Sequence, residues 1–184
     1  AVKIPLMEIF KTPTIEWLAR YIENAKQETF ISIQAVEKRE YYPVSSAQKR
    51  LYILQQMEGA GRAYNMPAAA VLKGRLDKEK LEKVFLQFIH RHEILRTSFH
   101  MVEEDVVQRV HDNVTFALEE EKIRREEIHH FVRPFDLSRA PLLRVGLLKR
   151  EGEKHILVMN LHHIVSDGAS QGLSFKEFMS LYNG

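Results

Sequence analysis

The sequence has no cysteine and no long apolar run among its 184 residues. Without cysteine there is no disulfide framework, no thiol nucleophile and no thiolate metal site. No segment approaches the roughly 20 consecutive apolar residues of a membrane span, and the N-terminus lacks a signal-peptide pattern. We therefore expect a cytoplasmic protein with no membrane partner.

An excess of one charge is also absent. The 27 Lys and Arg residues nearly balance the 25 Asp and Glu residues, for a formal net charge of +2, so no basic surface for nucleic acid is indicated. Hydrophobic residues make up 45% of the chain and charged residues 28%, which are the proportions of a chain that buries a core. The length suits one domain of about 100–200 residues.

The N-terminal part differs in pattern from the remainder. Thr12 followed by Pro13 predicts the start of an amphipathic helix within residues 1–25. This helix is too short to form a domain alone. Residues 26–43 are mixed and charged and predict a linker, after which residues 44–184 form the main unit.

Residues 44–184 alternate between helical and strand patterns. The predicted elements are, in order, a helix capped by Ser45 or Ser46 that ends at Gly59 and Gly61, a strand at Pro67–Leu72, a helix after Asp77, a hairpin of Thr97–Val102 and Val106–Val110, a helix at Glu119–Val132, a hairpin of Leu142–Leu148 and His155–Leu161, and a helix from Ala169. The last strand does not alternate, which predicts burial on both faces. Without βαβ regularity, this order predicts an α+β fold with a mixed or antiparallel sheet flanked by helices.

The segment His162–Gly168, with the sequence HHIVSDG, carries the clearest chemical signal. It joins a buried strand to a helix, so two imidazoles and the Asp167 carboxylate lie at the edge of a rigid sheet. A histidine there suits general-base catalysis. Asp167 is expected to orient the turn through a salt bridge, and Gly168 to permit a close turn at a helix N-terminus whose N–H groups face a developing oxyanion.

Two other interpretations of this segment stay open on the residues alone. It is equally read as a capping turn whose histidines are ordinary loop residues. Zinc is the other option, because histidine is a common ligand. Adjacent histidines seldom converge on one ion, however, and no further ligand follows at helical spacing, so no metal is expected.

His162–Gly168 resembles the HHxxxDG motif of condensation domains in nonribosomal peptide synthetases, which acyltransferases of the chloramphenicol acetyltransferase type share. Two further stretches are similar to condensation-domain motifs. Ser45–Leu54 resembles SxAQxRLWxL, with Tyr52 at the aromatic position, and Arg91–Phe99 matches RHExLRTxF. Ile4–Ile22 resembles the end of a peptidyl carrier domain. The resemblance therefore implies a carrier-domain remnant at 1–25, a linker at 26–43 and the N-terminal lobe of a condensation domain at 44–184.

The resemblance implies a chloramphenicol acetyltransferase-like lobe and a role in antibiotic biosynthesis. The phosphopantetheine-bearing carrier serine and the second lobe are expected to be missing, so no cofactor is bound directly and the isolated chain is expected to be inactive. Phosphopantetheine arms of the upstream and downstream carriers deliver the donor and acceptor thioesters, with an adenylation domain as a further partner. The acceptor amine attacks the donor thioester carbonyl. His163 accepts the proton or stabilises the intermediate, His162 holds the turn, and Asp167 pairs with an arginine of the second lobe.

The remaining motif residues receive structural or tunnel-lining roles: Gln48, Arg50, Arg91, His92, Glu93, Arg96 and Ser170. Arg96 is expected to pair with Glu93 or brace the lobe. Two alternatives to condensation remain. One is a non-catalytic carrier-docking module of the same fold, which would have no reason to keep His163 and Asp167. The other is an epimerisation domain, which usually has a tryptophan soon after the serine where this chain has Gln171–Leu173.

Overall fold

The structure is a computed structural model that describes residues 4–11, 13–25, 34–119, 131–149 and 154–184. It divides into two compact units, Ala1–Lys38 and Arg39–Gly184. The boundary between them lies within the predicted linker, 26–43. Within the residues that the structure describes, no helix combines the length and apolarity needed to cross a bilayer.

The first unit contains helices α1 (Leu6–Lys11) and α2 (Ile15–Asn24). The side chain of Thr14 caps α2 by accepting a hydrogen bond from the Trp17 amide at 3.3 Å. The predicted start at Thr12 and Pro13 is therefore wrong for this helix, because Thr14 offers its own hydroxyl to the free amides of the first turn. Thr12 itself lies outside the described residues.

The main sheet of the second unit has the strand order β2-β6-β5, in which β2 is Asn65–Lys73, β5 is Leu143–Lys149 and β6 is Lys154–His162. Both pairings are antiparallel. Leu157 and Val158 are adjacent in β6 and both 2% exposed, which confirms the predicted strand buried on both faces. The hairpin of β5 and β6 is also confirmed, while its predicted turn, Glu151-Gly152-Glu153, lies outside the described residues.

Two helices pack on this sheet, α4 (Lys78–Arg91) and α5 (Gly168–Asn183). Asp77 caps α4 as predicted, with its carboxylate 2.9 Å from the Lys80 amide. The buried residues of α4 follow the predicted helical spacing and share one core with the sheet: Leu81, Val84, Phe85, Phe88 and Ile89. Because this core fixes α4 and α5 against β6, it also fixes the turn between β6 and α5.

A second sheet of order β1-β4-β3 contains β1 (Tyr42–Pro43), β3 (Thr97–Val102) and β4 (Asp105–Val110). The predicted hairpin of β3 and β4 is confirmed. Its turn residues Glu103 and Glu104 have φ values of 49° and 71°, the left-handed conformation that matches the twist of a tight hairpin. The sequence analysis did not predict β1, because two residues are too few to show the alternating pattern of a strand.

The segment from Glu119 to Val132, which was predicted to be a helix, begins with a β-bridge. Glu119 forms a parallel bridge with Gly146 at the edge of β5. Its amide donates to the Val145 carbonyl at 2.9 Å, and its carbonyl accepts from the Leu147 amide at 3.1 Å. The open edge of β5 therefore takes this residue into the sheet, and residues 120–130 lie outside the described residues.

Helix α3 (Ser46–Gln55) is capped by Ser45. The Ser45 hydroxyl accepts from the Gln48 amide at 3.2 Å, and the Gln48 side chain accepts from the Ser45 amide at 2.9 Å. This capping box makes Ser45 the cap of the two serines offered by the sequence. The helix ends at Gln55, four residues before the predicted end at Gly59. The Gln56 amide donates to the Ile53 and Leu54 carbonyls, and a 3₁₀ segment follows at Ala60–Arg62.

Replacing Ser45 by alanine should therefore lower the free energy of unfolding by about 0.5–2 kcal/mol, the usual loss for a helix N-cap. Ser46→Ala is the matched control, because Ser46 is the first residue of the helix and is not its cap. Urea unfolding of the two variants measures the difference. Equal stabilities would contradict the assignment of the cap.

Gly146 lies where β5 approaches Phe131 closely. A Cβ atom at Gly146 would lie 2.7 Å from Phe131 Cε2, and Phe131 is 1% exposed. Gly146→Ala should therefore overpack this contact and cost about 1–3 kcal/mol in urea unfolding. Gly172→Ala adds the same methyl group where nothing lies within 4 Å and should cause no loss. A Gly146→Ala protein of unchanged stability would show that Phe131 moves freely.

Candidate functional site

The candidate site is the turn between β6 and α5, with His162 as the last residue of β6. Backbone hydrogen bonds hold this turn at both histidines. The His162 amide donates to the Leu142 carbonyl at 3.1 Å, and the His163 amide donates to the Tyr64 carbonyl at 2.8 Å. Ile164 and Val165 are 4% and 7% exposed, so the middle of the turn is anchored in the core.

His162 is fully buried, with 0% of its surface exposed. Its Nδ1 accepts a hydrogen bond from the Ile164 amide at 3.1 Å, so Nε2 carries the ring hydrogen and donates to Gln55 Oε1 at 3.3 Å. The rings of Tyr64 and Phe135 lie next to it. Burial, together with the neighbouring His163, lowers the pKa of His162 to about 4. This imidazole is therefore neutral at pH 7 and uses both nitrogens in holding the turn.

His163 is exposed and has the opposite arrangement. Its Nδ1 lies 2.7 Å from the Ser166 carbonyl oxygen. A carbonyl only accepts, so Nδ1 carries the ring hydrogen and the lone pair of the neutral ring is on Nε2. Within the described part of the chain, Nε2 has no protein partner. The turn thus presents one oriented proton acceptor to the surroundings.

Asp167 and Ser170 form a second capping box, at the start of α5. The Ser170 amide donates to Asp167 Oδ1 at 2.7 Å, and the Asp167 amide donates to Ser170 Oγ at 2.8 Å. The hydrogen bond from the Ser170 amide, followed by that from its hydroxyl, holds the pKa of Asp167 below its usual range. The salt bridge expected to orient the turn is therefore replaced, among the described residues, by helix capping.

Gly168 was predicted to permit a close turn at the start of α5, but the structure shows no crowding at this residue. A Cβ atom at this glycine would meet nothing within 4 Å. The backbone of the described residues therefore does not require glycine at this position. The space beside Gly168 is open.

The first motif reaches the turn through Gln48. Its side-chain nitrogen lies 3.5 Å from the Ile164 carbonyl, so α3 contacts the residue that follows the two histidines. Arg50 is exposed on α3. The structure therefore brings Gln48, but not Arg50, into contact with the histidine turn.

The second motif contacts α5 rather than the turn itself. Arg91 Nε lies 3.1 Å from Glu177 Oε1, and His92 Nε2 lies 2.9 Å from Glu177 Oε2. Glu177 is on α5, so this carboxylate ties the end of α4 to the helix that begins at Gly168. The sequence analysis missed Glu177, because a glutamate in a polar helix face carries no local signal of a partner 85 positions away.

Glu93 and Arg96, the other two candidate residues of the second motif, make hydrogen bonds through or to nearby backbone. Arg96 donates from Nε to the His90 carbonyl at 3.1 Å and from a terminal nitrogen to the His111 carbonyl. The Glu93 carbonyl accepts from the Thr97 hydroxyl at 2.7 Å. Arg96 therefore binds backbone carbonyls, and the predicted pairing with Glu93 is not made.

The described residues include no group of three or more His, Asp or Glu side chains arranged to hold a metal ion. Both ring nitrogens of His162 are engaged in hydrogen bonds within the protein. The arrangement offers a proton acceptor at His163 Nε2, which is the requirement of a general base.

The family model described as Condensation domain matches residues 38–184. The chain belongs to this family. It is 50% identical over 187 residues to tyrocidine synthase 3 of Brevibacillus parabrevis and 49% identical over 186 residues to bacitracin synthase 3 of Bacillus licheniformis. These alignments cover 100% and 99% of this chain but 3% of each relative.

Solved structures of similar fold include the X-domain from teicoplanin biosynthesis, with 28% identity and a TM-score of 0.73 over 83% of this chain and 34% of that one. The starter condensation domain of rhizomide synthetase has a TM-score of 0.67 at 21% identity over 77% of this chain and 37% of that one, which is a likeness of fold alone. The predicted condensation-domain family and the α+β, chloramphenicol acetyltransferase-like lobe are thus confirmed. The carrier-domain remnant at 1–25 and the domain boundaries stay predictions.

Proposed function

We propose that this chain is the histidine-bearing lobe of a condensation domain that forms amide bonds in a nonribosomal peptide synthetase. The observation that carries the proposal is His163, whose Nδ1 is held by the Ser166 carbonyl at 2.7 Å while Nε2 is left with its lone pair outward. The condensation-domain match over 38–184 supports the same reading. A general base needs an accessible ring nitrogen held in a fixed orientation, and Nε2 of this exposed ring meets that requirement.

In the proposed reaction the acceptor α-amine attacks the carbonyl carbon of the donor thioester. An α-amino group has a pKa near 7.7–8.0, so a useful fraction is already neutral. The new C–N bond makes the nitrogen cationic, and His163 Nε2 takes one proton from it. The C–S bond then breaks, and the leaving thiolate recovers a proton. No acylated side chain is needed, which suits a chain without cysteine.

His162 and Asp167 act through His163 in this scheme. His162 is buried and neutral, so it holds the turn without adding a charge beside the reacting amine. Asp167 and Ser170 cap α5 and keep Ser166 in place next to it. We retain the proposal that Asp167 meets an arginine of the second lobe, because its carboxylate is on the surface of this lobe.

The partners follow from this scheme. We propose that phosphopantetheine arms of two peptidyl carrier domains deliver the substrates, that an adenylation domain supplies the amino acids, and that a second lobe completes the substrate tunnel. On this basis the 184-residue chain alone is inactive. A cytoplasmic location stays a prediction.

A carrier-docking module without catalysis is the second candidate. The observation in its favour is a fold neighbour, the X-domain of teicoplanin biosynthesis, which was solved in complex with OxyB at 27% identity and a TM-score of 0.71 over 85% of this chain and 35% of that one. The X-domain, whose architecture resembles that of this chain, thus forms a complex with another protein. An epimerisation domain is the third reading, and the absence of tryptophan at Gln171–Leu173 counts against it.

The test is a condensation assay on what we call the assay polypeptide, this sequence joined to the second lobe of its condensation domain. Donor and acceptor carriers are loaded with different aminoacyl groups, and the acceptor carrier is examined by mass spectrometry. A dipeptidyl group on the acceptor carrier supports condensation. Carrier binding without dipeptide assigns the chain to the docking class, and inversion of the donor α-carbon without amide formation assigns it to the epimerisation class.

A further inference from the structure

Gln55, the last residue of α3, links the 3₁₀ segment at Ala60–Arg62 to the histidine turn. Its half-buried side-chain amide has a partner at each end. The nitrogen Nε2 donates to the Gly61 carbonyl at 3.2 Å, and the oxygen Oε1 accepts from His162 Nε2 at 3.3 Å. Because a carbonyl only accepts, the Gly61 carbonyl fixes which end of the amide is the nitrogen. The oxygen is thereby directed to His162.

The Gly61 end of this link is held by close packing. A Cβ atom at Gly61 would lie 3.2 Å from Pro134 Cγ, so the 3₁₀ segment lies directly against Pro134. The next residue, Phe135, has its ring centroid 6.1 Å from that of His162. Gly61 is therefore a firm anchor for the Gln55 amide, packed against the same segment that borders the His162 ring.

The link continues through His162 into the turn. His162 Nδ1 accepts from the Ile164 amide at 3.1 Å, so each nitrogen of this ring has one partner. The Ile164 amide belongs to the peptide bond that follows His163. A rotation of the His162 ring would release this peptide bond, and with it the backbone that sets the direction of His163 Nε2.

Gln55 also supplies an acceptor without a charge. Burial, followed by the neighbouring His163, lowers the pKa of His162 to about 4. A carboxylate in place of the amide would favour the imidazolium, which carries a hydrogen on both ring nitrogens. The Nδ1 hydrogen would then face the Ile164 N–H, so this hydrogen bond would be lost. A neutral amide accepts from Nε2 and leaves Nδ1 free to accept.

The ionisable side chains around the His162 ring do not favour the imidazolium either. They are His163 of the turn, Tyr64 before β2, and Arg144 of β5, whose guanidinium lies 3.8 Å from the centroid of the Phe135 ring. None of the three carries a negative charge at pH 7. Of these, His163 acts on the pKa of His162, and it lowers it.

We propose that Gln55 is a positioning residue for the proposed base. Its amide oxygen holds the His162 ring in the orientation in which Nδ1 faces the Ile164 amide. Because this acceptor is neutral, it does so without placing a cation beside His163. The proposal rests on the proposed condensation function and adds to it a residue that lies outside the three motifs.

The test replaces Gln55 by glutamate in the assay polypeptide and measures kcat/KM for dipeptide formation from about pH 5 to about pH 9. Glutamate has nearly the same shape, but its charge favours the His162 imidazolium, which breaks the Ile164 hydrogen bond and disfavours a second proton on His163. The acid limb of the profile should therefore move to higher pH in one case only, if the loss is relieved as His162 gives up its proton. On that limb kcat/KM should fall by up to about 10²-fold, the cost of a misplaced group.

Gln56→Glu is the matched control. Gln56 is the next residue and is exposed, so water and salt screen the same charge at this position. Its acid limb should coincide with that of the parent. A Gln55→Glu protein whose kcat/KM falls by one factor at every pH, or does not fall at all, would make Gln55 a packing residue and overturn the proposal.

Hydrogen exchange at the Ile164 amide tests the same link without catalysis. Gln55→Met removes the acceptor and keeps a side chain of similar length, so this amide should exchange roughly 2–10-fold faster, the contribution of the lost hydrogen bond. Gln56→Met should leave its exchange unchanged. The His162 amide, which donates to the Leu142 carbonyl, is the internal reference, because a general loss of stability would accelerate both amides.

This second measurement separates the proposal from the condensation function. If the parent forms no dipeptide, the condensation function fails, and the exchange of the Ile164 amide alone decides whether Gln55 positions the turn. It also decides if Gln55→Glu does not fold. Equal exchange of the Ile164 amide in Gln55→Met and in the parent would overturn the positioning role, whether or not dipeptide forms.

Discussion

Replacement of His163 by alanine should lower the rate of amide formation by about 10²–10⁴, the usual contribution of a positioned general base. The expected size follows from the ring geometry. Nδ1 is committed to the Ser166 carbonyl at 2.7 Å, so the proton acceptor is Nε2 and no other described side chain of the turn offers an equivalent nitrogen. The measurement is single-turnover formation of dipeptide by the assay polypeptide with both carriers loaded.

The stability of the protein gives the first control for this variant. His163 is exposed, so its removal should leave the unfolding midpoint unchanged while the rate falls. His90→Ala is a matched control, because His90 is also exposed and lies outside the turn. It should retain the parent rate. A His163→Ala protein that condenses at the parent rate would remove His163 from the chemistry and leave the fold as a docking surface.

Acidification should destabilise the protein between pH 6.5 and pH 4 through His162. Its pKa falls from an ordinary value of 6.5 to about 4 in the folded chain, because burial disfavours the charged ring. In this window the unfolded chain binds a proton that the folded chain does not, so stability rises with pH and is lost as pH falls. At 1.36 kcal/mol per pKa unit, His162 alone should remove about 3 kcal/mol of unfolding free energy by pH 4. Burial also lowers the pKa of His111, which acts in the same direction.

Urea unfolding at pH 7 and pH 4, in the parent and in His162→Asn, isolates the contribution of His162. Asparagine keeps a side-chain oxygen close to the position of Nδ1, so it still accepts from the Ile164 amide, and it does not titrate. The variant should be less stable at pH 7 and should lose about 3 kcal/mol less than the parent on acidification. Parallel losses in the two proteins would place the acid sensitivity elsewhere.

Local sequence patterns were sufficient to predict most helices and strands of the second unit. The apolar spacing after Asp77 predicted α4, and the non-alternating strand predicted the burial of Leu157 and Val158. The hairpin of β3 and β4 followed from two β-rich runs around an acidic turn. These signals succeed because periodicity and turn chemistry act over a few residues.

The partners of the candidate site were not predictable in the same way. Gln55 binds His162 across 107 positions of sequence, and Glu177 joins α5 to His92 across 85. Such contacts depend on how the sheet brings distant elements together, and neither residue belongs to a motif. The motif analysis therefore named the histidines but not Gln55, which accepts from His162 Nε2, or Glu177, which ties α5 to His92.

The strand order of the main sheet has a consequence for the synthesis of the chain. The partner of β2 is β6, and the pairing of Asn65 with His162 joins residues 97 positions apart. At roughly 5–20 residues per second on the ribosome, β2 waits roughly 5–20 s for its neighbour. During that interval its backbone edge is uncovered, and the apolar face of α4 has no sheet to pack on. The turn at His162–Gly168 forms only when the last strand closes the sheet, so a nascent chain stalled before that strand would be a client for chaperones.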